Sequence, residues 1–170
     1  MHFKISEEDK TNHRYSGVLA HPTSFPSPYG IGDLGQNAYD FIDFLAASGQ
    51  HLWQVLPLGP TTVGDSPYQS FCVFAGQPLL ISPELLKKKK LLLEEDLAEV
   101  PDFDLDKVEY DEVLLYKTGL FKKAYANFLH TADKNLLEEF DAFCESNEFW
   151  LMDYCLFMAG KDHHKGLPWY

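Results

Sequence analysis

A parallel α/β fold is predicted by three features of this 170-residue sequence. Two short apolar runs, at 18–20 and 52–56, flank a single amphipathic segment. The connection between the runs is long enough for a helix but far too long for a hairpin. Loops rich in Gly, Pro and aromatic residues follow both runs immediately. Strand, helix and strand in this order close almost always as a right-handed crossover between parallel strands. The loops beyond the carboxyl ends of such strands are where ligand sites are built.

The elements follow in order. Residues 1 to about 14 are a polar lead-in. Val18, Leu19 and Ala20, preceded by Gly17, are expected as a buried strand, stopped by His21-Pro22. After a loop of Pro, Ser and Gly, Asp33 is expected to cap a helix, with Gln36 at capping-box spacing. Ala38, Phe41, Ile42 and Leu45 recur at helical spacing, Asp40 and Asp43 fall opposite, and Gly49 suits the residue after the helix. Leu52, Trp53, Val55 and Leu56 form the second buried strand, ended by Pro57. Leu79, Leu80 and Ile81 read as a further extended piece. From residue 84 helical spacing takes over: first Val113, Tyr116, Leu120, Phe121, Ala124 and Phe128, then Leu136, Leu137, Phe140 and Phe143. Phe149, Trp150, Tyr154 and Met158 make the third helix. Residues 100–106 read as a connector. The expected organisation is strands and helix over 1–83, then a mainly helical inserted subdomain over 84–170.

Composition excludes several function classes. A net charge of −12 argues against nucleic acid and against an anionic membrane surface, both of which need Lys and Arg. The one basic run, Lys87 to Lys90, reads as the solvated end of a helix. Cys72, Cys144 and Cys155 are widely spaced with no CxxC pair, so free, buried thiols are expected, without a disulfide or zinc site. The first residues lack an apolar signal core and no stretch is long enough to span a bilayer, so a cytoplasmic location is expected. Gly30, Gly32 and Gly35 have the spacing of a dinucleotide loop. They follow a Pro-rich loop instead of a strand, and the second run ends in Leu-Pro without an acidic residue, so dinucleotide binding is rejected. His163 and His164, adjacent near the end, read as a surface pair.

The sharpest local motif is Asp65-Ser66-Pro67-Tyr68-Gln69. It offers a carboxylate, a hydroxyl and a phenol from a rigid turn just beyond a strand, a set suited to stacking on a sugar face and bonding its hydroxyls. It is also what an ordinary Pro turn looks like, with Asp65 and Ser66 bonding their own backbone. His21 could touch a ligand or anchor its loop. Trp53 suits the core more readily than a binding platform, while Gln54, polar inside a strand, needs a partner.

Three longer motifs, SGVLAHPTSFPSPYGIGDLG, LWQVLPLGPTTVGDSPYQS and FAGQPLLISPELL, closely resemble the N-terminal region of the amylomaltases. These are the 4-alpha-glucanotransferases, or disproportionating enzymes, of glycoside hydrolase family 77. The match is dense over residues 14–86, and FWLMDYCLFMA at 149–159 resembles a helix of the same family. The resemblance implies a (β/α)8 TIM barrel with helical insertions, of which this chain would be the N-terminal part. It implies transfer of a segment of an α-1,4-glucan to an acceptor such as glucose or a maltooligosaccharide, with retention of configuration. Such chemistry uses a carboxylate nucleophile and a second carboxyl group through a covalent glycosyl-enzyme, and requires no cofactor or metal. By position, Tyr68 would stack on a sugar at the cleavage subsite, Asp65 and Ser66 would shape that loop, and His21 would sit near the barrel mouth; Trp53 is a further substrate-binding candidate. Maltooligosaccharides and α-1,4-glucans are the implied partners.

Departures from the family pattern are Phe25 and Ala20 where Leu is usual, Cys72-Val73 for Ser-Ala, and Gln77 for Asn. In the family the catalytic carboxylates come from later barrel strands, and none is matched before Tyr170. The expectation is therefore an N-terminal fragment, inactive alone. A non-catalytic α-glucan-binding module is the alternative, and it would require cooperative folding of the chain in isolation.

Overall fold

The computed structural model describes residues 14–167, so the expected lead-in lies almost entirely outside the described residues. Strand β1 (Gly17–Leu19) pairs in parallel with β2 (Leu52–Gln54), Val18 opposite Trp53. Helix α1 (Gln36–Ala47) forms the crossover between them. The βαβ reading holds, with β1 set one residue earlier than its apolar run and β2 shorter than its own.

Both strands were expected to be buried, and they are not. Val18, Leu19 and Leu52 are exposed. Within the described residues this is a two-stranded sheet. A parallel strand is buried only where neighbours cover both its faces, and here α1 alone is available. It contributes Phe41, which packs with Phe25 on the Trp53 ring at centroid distances of 5.0–5.8 Å.

The start of α1 also differs from expectation. Its capping residue is Gly35, with no side-chain cap, and Gln36 opens the helix. Asp33 is committed elsewhere: one carboxylate oxygen accepts from the Gly35 N–H at 2.8 Å, and the other faces Lys117. The helix ends as its sequence indicates. Gly49 takes φ +68°, its N–H donating to the Ala46 carbonyl and that of Gln50 to Leu45, a left-handed closure that glycine accepts without cost.

Residues 79–81 do not extend. Pro78–Leu80 form a 3-10 turn because Pro78 presets φ and the Gln77 side chain accepts from the Leu79 N–H. Ser82 then caps the short α2 (Pro83–Lys88), with Pro83 in the first turn. Lys87 pairs with Glu84 and Glu94, and Lys88, Lys89 and Lys90 are solvated.

The helical half comprises α3 (Tyr110–Thr131), α4 (Lys134–Ser146) and α5 (Glu148–His163), matching the three apolar stripes. Only α3 is substantially buried. Val113 and Phe103 pack with Ile31 and Leu79 in one core cluster, and Leu120 and Ala124 pack with Leu92 in another. The stretch expected as a plain connector therefore supplies a core residue. Phe103 lies against Gly30, whose φ of +73° and missing side chain let the ring approach; a Cβ there would meet Phe103 Cγ at 2.5 Å. Neither α4 nor α5 has a buried residue. The thiols are free as expected but not buried: Cys72 and Cys144 are half-buried and Cys155 is exposed. They sit on α4, α5 and the open loop facing α5. Among the described residues no helix is long and apolar enough to cross a membrane.

Candidate functional site

The loops that leave β1 and β2 converge on a cavity of about 160 Å³. The first contributes His21, Thr23 and Ile31, the second Thr61, Asp65 and Pro67. Gln77, and Tyr110 from the start of α3, complete the wall. Small polar groups on an apolar frame at the carboxyl ends of parallel strands are the usual makings of a ligand site.

His21 caps the 3-10 turn Pro22–Ser24. Its Nδ1 accepts from the Thr23 N–H at 3.4 Å and lies 2.7 Å from Thr23 Oγ1. On that basis we assign the proton of the neutral ring to Nε2. Burial holds the ring below its ordinary pKa, partly offset by the nearby Pro57 carbonyl. Nε2 is shut off from solvent and makes no well-formed hydrogen bond. His21 is thus a loop anchor whose ring backs the cavity wall.

The second loop is more strained. Gly64 and Asp65 adopt φ of +74° and +54° in succession, and Asp65 is the residue that bears a cost there. This turns the exposed carboxylate onto the cavity. Ser66 then opens a turn through Pro67, its carbonyl accepting from Gln69 N–H at 3.1 Å and its hydroxyl from Tyr68 N–H at 3.4 Å. With the backbone fixed this way, Tyr68 stands 73% exposed directly after the cavity-lining Pro67.

Trp53 is placed apart from these groups. Its indole N–H donates to the Ala20 carbonyl at 2.7 Å, and Phe25 and Phe41 pack on its ring. Of the five sequence-selected residues, His21 and Asp65 share the cavity. Ser66 and Tyr68 continue the same loop, and Trp53 braces the sheet beneath.

Three groups escaped sequence reasoning. Thr61 and Gln77 form a polar pair on the cavity wall, the Gln77 amide donating to Thr61 Oγ1 at 3.1 Å. The third is Lys117, fully buried, whose Nζ donates to the Leu79 carbonyl at 2.6 Å and lies 3.7 Å from Asp33 Oδ2. Burial lowers the Lys117 pKa to about 8, against the pull of Asp33. Burial likewise raises that of Asp33, against the pull of Lys117. Its position, four residues after Val113 and three before Leu120, was the available signal: it falls on the buried stripe.

Residues 20–170 match the family model of glycoside hydrolase family 77, described as 4-alpha-glucanotransferase. The chain belongs to the 4-alpha-glucanotransferase family. It is 45% identical over 157 residues to the Synechocystis 4-alpha-glucanotransferase, covering 92% of this chain and 31% of that protein. With the 4-alpha-glucanotransferase of Thermus thermophilus the identity is 47% over 156 residues, covering 92% and 30%. The chain thus spans a little under a third of the length of these relatives. Its fold superposes on amylomaltase from Streptococcus agalactiae in complex with acarbose with a TM-score of 0.84 at 37% identity, covering 91% of this chain and 31% of that one. The βαβ unit and helices described above are therefore an amylomaltase-type arrangement over the matched portion.

Proposed function

We propose that this chain forms the opening part of a (β/α)8 barrel in a 4-alpha-glucanotransferase and supplies one wall of its glucan-binding mouth. The observation that carries the reading is the cavity beyond β1 and β2, which gathers His21, Thr61, Asp65 and Gln77 beside the exposed Tyr68. A sugar offers flat C–H faces and a rim of hydroxyls. Tyr68 supplies a ring free to stack on such a face. Asp65 accepts from hydroxyls, and Gln77 and Thr61 can both donate and accept, while His21 anchors the loop that forms the wall beside them. Ser66 holds the turn that aims Tyr68.

These groups bind and orient; they do not provide the acid and nucleophile pair of a retaining transfer. Those carboxylates would come from barrel strands beyond the ones matched here. The chain alone is expected to catalyse nothing, and the transferase reaction belongs to the complete barrel. The substrates are α-1,4-glucans and maltooligosaccharides, and the expected location is the cytoplasm.

The test is a fusion of this chain to the remaining portion of the Thermus thermophilus relative, assayed for conversion of maltotriose to glucose and longer maltodextrins. Tyr68→Ala in that fusion is expected to lower kcat/KM about tenfold or more, equal to about 1.4 kcal/mol of transition-state binding, and Tyr68→Phe to retain most activity. Equal kcat/KM in the parent and Tyr68→Ala would remove Tyr68 from the site.

A further inference from the structure

We infer that Lys117 is a positioning residue that fixes the loop after β1 against the loop after β2, and so sets the width of the cavity between them. The inference rests on the proposed glucan site and goes beyond it, because Lys117 does not line the cavity. Its ammonium group reaches two backbone systems at once. On one side it donates to the Leu79 carbonyl at 2.6 Å. Leu79 N–H in turn lies on Gln77 Oε1 at 3.5 Å, and the Gln77 amide reaches Thr61. On the other side it pairs with Asp33 at 3.7 Å. The neighbouring Gly32 N–H donates to the Thr23 carbonyl at 3.1 Å, and Thr23 is the residue that holds His21. The Leu34 N–H closes the bridge by donating to the Leu80 carbonyl at 3.0 Å.

A methionine of similar volume would fill the same space without the cost of burying an ammonium group. A lysine serves the core poorly but joins a carboxylate to a carbonyl across two loops, which an apolar side chain cannot do. The groups around it are in keeping with a fixed bridge: Ser82 beside Asp33 is buried, and Tyr29, packed near Tyr116, donates to Glu84 at 2.6 Å.

Two readouts test this. In the fusion protein, at a temperature where circular dichroism shows parent and variant equally folded, Lys117→Met is expected to raise KM for maltotriose about tenfold while changing kcat less than about threefold. In the 170-residue chain, the His21 ring, assigned in NMR spectra with His21→Gln, is expected to titrate closer to its ordinary 6.5 once Lys117→Met loosens its loop. Asp33→Asn, which keeps the bond to Leu79, should do the same to a smaller degree, and it replaces Lys117→Met if that variant fails to fold. A lowered Tm with KM and the His21 titration both unchanged would make Lys117 a structural residue only. A parent fusion without transferase activity would defeat the proposed function, and the His21 titration would still decide the role of Lys117.

Discussion

The seam beneath α3 and the open surfaces of β1, β2 and α5 contain the same kinds of residue in opposite environments. In the seam, Ile31, Leu79, Phe103 and Val113 exclude water and even Lys117 is fully buried. On the open surfaces Leu19 and Leu52 are more than half exposed on the strands, and α5 presents Phe149 and Met152, each 70% exposed. Phe71 and Phe74 meet Phe157 and Phe149 of α5, each at 5.1 Å. The seam is complete because all its partners lie between residues 29 and 124. The open surfaces have an apolar pattern of equal strength but lack partners within the described residues. An apolar stripe thus states that a face needs cover, and only the fold states whether this chain provides it.

The comparison can be broken most directly by truncating one aromatic residue on each side. Phe103→Ala removes a buried ring and is expected to cost about 3–5 kcal/mol in urea unfolding. Phe149→Ala in the same chain should stay within about 0.5 kcal/mol, as exposed positions do. In the fusion, where a complete barrel is expected to cover α5, Phe149→Ala should cost clearly more; equal small costs in both proteins would mean that nothing covers this face.

The next effect is electrostatic. Lys117→Met leaves Asp33 without its ion-pair partner and should destabilise the chain by about 3 kcal/mol, with part of that loss recovered in the double variant carrying Asp33→Asn. Lys117 titrates near 8 when folded and near 10.4 when unfolded. Between those values the unfolded chain binds more protons, so stability relative to Lys117→Met rises with pH across that window. The slope approaches about 1.4 kcal/mol per pH unit. A stability difference that is flat from pH 8 to 10 would place the ammonium group in water.

Gly30→Ala comes next. A left-handed alanine costs roughly 1–2 kcal/mol, and its Cβ would also meet the Phe103 ring. It should therefore exceed Gly64→Ala, where φ is also positive but nothing lies within 4 Å. The smallest effect belongs to His21. Its pKa is depressed by burial, so its contribution is present above pH 6.5 and is lost as pH falls through the lower folded value. His21→Gln should flatten that acid limb in a pH series of unfolding measurements.

Much of this molecule is legible in the sequence because periodicity survives without context. The stripes over 113–128, 136–143 and 149–158 each mark a real helix, and the strand–helix–strand order gives the parallel pair. Burial was less legible. Val18 and Leu52 read as core, and Phe103, set among Asp102, Asp104 and Asp106, fell in a stretch read only as a connector; the structure exposes the first two and buries Phe103. Side-chain commitments over long sequence separation were illegible. Asp33 looks like a helix cap until Lys117 is known to lie above it. For the site, His21 and the Asp65–Tyr68 loop could be picked out from position after a strand, whereas Thr61 and Gln77 acquire meaning only when the two loops meet. The consecutive left-handed residues Gly64 and Asp65 had no sequence signature beyond a glycine.

Maltotriose disproportionation by the fusion protein, beside the 170-residue chain alone, tests most directly whether this region forms the glucan-binding wall of a transferase. Glucose and maltodextrins longer than the substrate should accumulate with the fusion and not with the isolated chain. A folded fusion that leaves maltotriose unchanged, or transfer by the isolated chain, would contradict the assignment.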